Sequence, residues 1–192
     1  MSNKNKVKYN LRNTHYALLT EGESGAITYE KPVPIPGSVS ISLDAQGEIT
    51  PFYADGIVYF KSVSNNGYEG DLEIALIPES YRTDVLGETL DSKKVLIENA
   101  DVQPKAFALL FEFDGDVNAI RHVLYNCAST RPSIESQTSE NTKEPGTETL
   151  TISATPLSNG QVKAKTGDTT DTATYDGWYD AVYMPTEGGA GA

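Results

Sequence analysis

Residues that do chemistry are scarce in this chain. Among 192 residues there are one cysteine, Cys127, and two histidines, His15 and His122. A single cysteine excludes an internal disulfide framework and suits folding in a reducing compartment. Three such side chains at these spacings do not form a zinc pattern, whose ligands come in close pairs. His122 and Cys127 stand five apart, which on a regular strand sends them to opposite faces and argues against a thiol–imidazole nucleophile. No P-loop and no Gly-x-Ser-x-Gly elbow occurs. Asp114-x-Asp116-x-Asn118 opens like a calcium loop, but Ala119 stands where glycine is required and Tyr125 where the bidentate glutamate belongs. None of the 27 acids is singled out by spacing for glycosidase chemistry. The expectation is a non-enzymatic chain with no catalytic residue, no metal and no cofactor.

Long apolar runs are also missing. No stretch approaches the ~20 residues of a membrane-spanning helix, so no membrane partner is expected. The opening Met-Ser-Asn-Lys-Asn-Lys lacks the apolar segment of a secretory signal, and no Asn-x-Ser/Thr sequon occurs, so cytosolic synthesis and folding are expected. Cations are outnumbered, 15 Lys and Arg against 27 Asp and Glu, for a net charge of −12. That balance argues against a protein that grips nucleic acid, which needs clustered cations to displace counterions. It leaves room for a surface that lets nucleic acid pass without sticking. The charge is uneven: residues 1–12 carry Lys4, Lys6, Lys8 and Arg12 with no acid, leaving −16 for the remainder. Such an arm either is solvated or docks on the acidic body of a neighbouring copy.

What is abundant is period-two patterning. Val39, Ile41 and Leu43 alternate with serines and Asp44, predicting a strand with one wet face, and Asp44-Ala45-Gln46-Gly47 reads as a turn after it. Glu48 to Phe52 then runs back, and Asp55-Gly56 is a strong hairpin signal before the strand Ile57–Phe60. Ser64 to Gly70 reads as a loop, followed by a strand with Leu72, Ile74 and Leu76 on one face and Asp71 and Glu73 on the other. Phe107, Leu109, Phe111 and Phe113 mark the most apolar strand; Asp114-Gly115-Asp116 reads as its turn, and 116–127 is taken as the returning strand. Leu150, Ile152 and Ala154 mark a further strand, and Val162 and Ala164 another after an Asn159-Gly160 turn. One short helix is signalled near 78–86: Pro78 opens it, Glu79 sits at its positive end, Gly87 stops it, and Tyr81 and Val85 share a face. Tyr175 to Tyr183, eleven tyrosines in all being present in the chain, reads as a terminal strand that either completes its own sheet or pairs with a neighbour.

The expected fold is therefore mainly β: two packed antiparallel sheets, sandwich or barrel-like, with one flanking helix and long arms. The divisions expected are a basic arm at 1–12, a single β domain at 13–185, and a flexible Gly/Ala-rich tail at 186–192. Within the domain, the Ser/Thr/Glu-rich stretch 131–149 reads as a long polar hairpin turning at Lys143, Glu144, Pro145 and Gly146.

The order and spacing of these pieces resemble the phi13-type major tail proteins of siphophages. The likeness lies in Val39-Ser40-Ile41-Ser42-Leu43, in Ile49 to Gly56 with Tyr59, and in Gly70 to Leu76 leading into Tyr81 and Leu86-Gly87. The strand Ala106 to Asp114 and the return Arg121 to Arg131 complete it, and it covers roughly residues 5 to 185. The resemblance implies a tail-tube subunit whose copies close into six-membered rings that stack into a hollow tube. It also implies residence in the virion tail after assembly in the bacterial host cytoplasm. The partners so implied are further copies of the chain, the tape-measure protein, a tail terminator and distal tail or baseplate proteins, with DNA passing through the lumen unbound. Candidate contacts between subunits or rings are Lys4, Lys6, Lys8, Asn65, Asn66, Gly67, Tyr68, Lys143, Glu144, Pro145, Gly146 and Trp178. Candidates for an acidic lumen are Asp71, Glu73, Glu112 and Asp114. The alternatives are a single-ring component, such as a terminator or an Hcp-like tube protein, and a β-sandwich ligand-binding module.

Overall fold

The computed structural model describes residues 4–22, 25–136, 138 and 145–185. Its first half runs through β1 (Lys8–Glu21), β2 (Ile27–Tyr29), β3 (Val33–Pro34), β4 (Ser38–Gln46), β5 (Ile49–Ala54), β6 (Ile57–Val63) and β7 (Gly67–Ile74). Helix α1 (Glu79–Asp84) and the two-residue strands β8 (Thr89–Leu90) and β9 (Leu96–Ile97) follow. The second half holds β10 (Phe107–Gly115), β11 (Ile120–Ser129), β12 (Glu148–Ala154), β13 (Lys163–Lys165) and α2 (Thr172–Asp176).

Nine strands form one antiparallel sheet in the order β2-β1-β10-β11-β12-β7-β4, with β3 also on β1 and β13 also on β11. Four strands separate β1 from β4 along this path, yet the two touch. The sheet is therefore curled into an open barrel that its hydrogen bonds do not close. The mainly β reading holds, and the two packed layers are opposite walls of this one curled sheet.

The concave side holds the main core. Tyr16, Leu72, Ile74, Leu109, Leu150 and Ile152 meet there, joined by Tyr81 of α1 and Val85 at its C-cap. The expected helix is thus in place, with its shared face fully buried and Gly87 at φ +76° just beyond it. Tyr81 meets Tyr16 and Phe107 edge-on, and its hydroxyl donates to Ser129 Oγ at 2.8 Å. A second core lies on the convex side of β10 and β11, where Ala108, Leu110, Val123 and Tyr125 pack under Leu157, Trp178 and Val182. β10 is consequently buried on both faces, which is why it reads as a nearly continuous apolar run.

Five local expectations are corrected. Tyr175 to Tyr183 is not a strand. Asp171 caps α2 by accepting from the Thr174 N–H at 3.0 Å, and Trp178 and Val182, four apart, then turn into the second core. Asp44–Gly47 does not reverse the chain; β4 runs to Gln46 and β5 takes up the ribbon again at Ile49. The loop expected at Ser64 to Gly70 shrinks to Ser64, Asn65 and Asn66, because β7 begins at Gly67 and pairs with both β4 and β12. Leu76 lies beyond the end of β7 and is exposed, and Ile77 is the residue that turns inward. Val39 is exposed too, since a bulge between Ser38 and Ser40 takes it out of the alternation.

Along the connection from β11 to β12, the described residues 130–136, 138 and 145–147 carry no strand, and Ile134, Pro145 and Gly146 are exposed. Lys143 and Glu144 lie outside the described residues, as does the tail 186–192. The basic arm is tied to its own body from Asn5 onward. The Asn5 side chain accepts from the N–H groups of Val117 and Asn118, and the Lys6 N–H donates to Asp116 at 2.8 Å. That donated bond holds the Asp116 carboxyl below its usual range.

Candidate functional site: an apolar ribbon and an acidic face

β4 and β7 pair from Ser38↔Ile74 to Gln46↔Gly67, and β5 and β6 continue the same ribbon from Ile49↔Val63 to Ala54↔Ile57. The Ser64 N–H to Glu48 and Asn66 N–H to Gln46 bonds join the halves. At the tip, Asp55 and Gly56 have φ of +52° and +76°, the pair of left-handed residues that a two-residue type I′ turn needs. Beyond Gln46 the ribbon extends roughly 25 Å, at ~3.3 Å per residue. Among the strands and helices of the described residues, β5 and β6 make extensive contacts only with each other.

This distal half carries large apolar side chains on both faces. The register puts Ile49, Tyr53, Val58 and Val63 on one face and Phe52, Ile57 and Phe60 on the other, with Tyr59 at a bulge. All are exposed, Phe52 and Phe60 at 61% and Tyr59 and Val63 at 72%. Between Ile49 and Val63 the only charged residues are Asp55 and Lys61. Together these side chains offer on the order of 1,000 Å² of mostly apolar surface, counting 150–250 Å² for a whole aromatic. A soluble monomer rarely exposes more than a few hundred Å² in one patch. A strand apolar on one face is half-buried in its own sheet; one apolar on both faces is built to be covered on both.

At its root the ribbon is different. The outward face of β4, β7 and β12 carries the cross-strand rows Ser40–Glu73–Thr149, Ser42–Asp71–Thr151 and Asp44–Glu69–Ser153. Thr147 and Ser40 donate to Glu73 at 2.7 and 2.9 Å, holding its carboxyl below the ordinary value, and Thr151 donates to Asp71 at 2.9 Å. These rows contain four acids, five hydroxyls and no cation. The two proposed lumen acids Asp71 and Glu73 therefore belong to one face, and Asp44 and Glu69, which the sequence reading left out, stand with them.

The other two lumen candidates do not belong there. Glu112 is 5% exposed and accepts from Asn13 (2.6 Å), Arg121 (3.0 Å) and Tyr179 (3.2 Å). Arg121 also stacks on Tyr175 at 3.9 Å and donates to its carbonyl, so this group clamps the C-terminal segment to the sheet. Burial, together with the Glu112 carboxylate, drives the Tyr179 hydroxyl pKa far upward. Asp114 pairs with Arg12 at 3.1 Å and accepts from Asn10. Asn10 and Asn13, at φ near +50°, sit at the two register shifts of β1 against β10.

Among the contact candidates, Trp178 is removed, being 3% exposed within the subunit. Gly67 is buried at φ +103°, where a Cβ would meet the Ala154 carbonyl oxygen at 1.8 Å; it serves close strand passage, not contact. Tyr68 is half-buried beneath Lys163, whereas Asn65 and Asn66 are exposed at the ribbon's midpoint. Lys4, Lys6 and Lys8 are exposed. The sequence reading missed the ribbon's distal half as a surface, although two-faced apolar character in Ile49 to Val63 was legible.

His122 and Cys127 share the concave face, against expectation, because a bulge between the partners of Phe107 and Leu109 restores their phase. They oppose Phe111 and Phe107, four residues apart or ~13 Å along a strand, too far for a nucleophile–base pair. Burial, aided by Lys165, Lys163 and Lys8, lowers the His122 pKa to about 4, while burial raises the Cys127 thiol to about 12.

No family model matches the chain, and no curated protein matches it. Among solved structures, the chain is similar to the anti-feeding prophage cap, described as the AFP tube terminating cap. The alignment covers 84% of this chain and 93% of that one at 12% identity, with a TM-score of 0.41. At that identity and score the likeness decides nothing about fold or function here.

Proposed function

We propose that this chain is a structural subunit of a long-tailed bacteriophage tail tube, polymerising as stacked hexameric rings and carrying out no catalysis. The observation that carries the reading is the two-faced apolar ribbon of β5 and β6, which needs more cover than one subunit supplies. A contact between a projecting element and a different patch on the next copy is heterologous and generates rings or open stacks. The cation-free face bearing Asp44, Glu69, Asp71 and Glu73 supports a lumen wall, because fixed negative charge keeps a passing phosphate backbone from adhering. The tape-measure protein inside, and a terminator and distal tail proteins at the ends, are the partners this role entails.

Negative-stain electron microscopy of the purified protein at high concentration tests it. Uniform hollow tubes or stacked rings are expected from the natural sequence, and none from the Phe52→Ser/Phe60→Ser variant. Isolated single rings would favour a terminator-like component. A natural protein that stays monomeric, or tubes that form equally well without the two phenylalanines, overturns the reading.

A further inference from the structure

The open barrel leaves a groove of about 350 Å³ at one mouth, where β4 stands away from β10 and β11. Its floor is apolar: Ile41 and Leu43 on one wall, Phe111 and Phe113 on the other, with the neutral His122 ring stacked on Phe111 at 5.1 Å. Two lysines stand at the rim, each lying on an aromatic ring. Lys8 Nζ is 4.8 Å from the centre of Phe113, and Lys163 Nζ is 4.2 Å from that of Tyr68. Neither lysine forms an ion pair among the described residues.

We propose that this groove receives the ribbon tip of a second copy of the chain, the Phe52–Phe60 pair filling the apolar floor and Asp55 meeting the lysine rim. The inference rests on the assembly reading above and names the patch on the neighbour that the ribbon engages. Three observations favour this occupant. Phe52 and Phe60 are directly opposed on one ribbon face, so they enter a groove together, and the volume suits two aromatic rings better than a whole ribbon. Asp55, the only charged residue of the turn, forms no ion pair among the described residues, and the rim it would meet is cationic in a chain of net −12. Finally, Ile41 and Leu43 belong to the ribbon's own root, and Asp55 at its tip lies twelve residues beyond Leu43, roughly 40 Å away along an extended strand. The chain cannot fill its own groove, so a tip-to-root contact passes from copy to copy. The ribbon's apolar surface exceeds the ~800 Å² per partner of a standard stable interface, so the tip would account for one part of the contact and the remaining ribbon for the rest.

The test is cysteine cross-linking in the assembled protein. An Asp55→Cys/Lys163→Cys variant, treated with a short bis-maleimide, is expected to give a ladder of covalent oligomers. The single-cysteine variants and the natural protein should give none, since Cys127 is fully buried. A parallel charge reversal, Lys8→Asp/Lys163→Asp, should raise the concentration needed for assembly at least tenfold, with Asp55→Lys restoring it. Both sites are on the surface, so folding is checked independently by the thermal midpoint. Tubes that form without a ladder and ignore the charge reversal overturn the docking and leave the tube reading standing. Efficient cross-linking of Asp55→Cys alone also overturns it, because tips would then meet tips. Failure of the natural protein to assemble overturns both readings together.

Discussion

The two halves of the long ribbon, β4–β7 at the root and β5–β6 at the tip, are consecutive antiparallel pairs joined by two backbone hydrogen bonds, and they differ in one respect. In the root, apolar side chains line a single face, Leu72 and Ile74 being fully buried while Asp71 and Glu73 face outward. In the tip they line both faces, and none is buried. Backbone pairing is the same in each, so hydrogen bonding does not decide where a subunit ends. The number of apolar faces does. A one-faced strand is completed by the sheet it belongs to; a two-faced strand outside the core is incomplete until another surface closes over it.

That contrast is broken most severely at the root. Leu72→Ala, at full burial, should lower unfolding free energy by about 2–5 kcal/mol through lost burial and a residual cavity, read by urea titration. Phe52→Ser at the tip should change it by less than about 0.5 kcal/mol while abolishing assembly. If the tip substitution destabilises the free subunit comparably, the ribbon packs on its own chain and the comparison fails.

The next largest effect lies where the C-terminal segment is clamped. Arg121→Met leaves Glu112 buried without its cation and should cost about 3 kcal/mol, with Trp178 fluorescence shifting as the segment loosens. Gly67→Ala marks the junction of the two halves. Its positive φ and the approach of the Ala154 carbonyl should cost about 2 kcal/mol, whereas Gly56→Ala strains only the turn and should cost about 1 kcal/mol.

One further effect depends on pH. The His122 pKa falls to about 4 in the folded chain from an ordinary value near 6.5, so the unfolded chain takes up the proton first. Its contribution to stability is intact above pH 6.5 and is lost as the pH falls toward 4. At pH 4.5 the loss should approach ~2 kcal/mol. Urea midpoints of the natural protein and of His122→Gln, compared at pH 7.5 and 4.5, should differ in slope by that amount; parallel slopes would mean that the ring is solvated.

Much of the fold was legible because it follows from local periodicity. Alternation marked β4, β7, β10 and β12, Asp55-Gly56 marked the ribbon's turn, and Pro78, Glu79 and Gly87 bracketed the helix. What misled was spacing that more than one structure satisfies. Tyr179, Ala181 and Tyr183 alternate like a strand, yet the Asp171 cap ahead of Thr172–Asp176 was the competing helical signal. Bulges at Val39, Asn10, Asn13 and within β11 shift phase by one residue, and no side-chain pattern announces them in advance. Of the site, alternation alone put Asp71 and Glu73 on one outward face. That Glu112 and Asp114 stand elsewhere was not legible, because their partners Arg121 and Arg12 come from other strands, nor was the burial of Trp178, because an aromatic in a polar tail looks exposed until a core is placed beneath it.

The sequence by itself therefore determined the class of structure, the first of its two short helices and the lack of a recognisable catalytic motif, since each rests on the chemistry of neighbouring residues. Only the tertiary structure decided which residues face outward. It curled one sheet so that β4 approaches β1, opened a groove between Leu43 and Phe113, and left the ribbon tip uncovered. Those features depend on contacts between residues far apart in the chain, and burial is a property of such contacts, not of any segment alone.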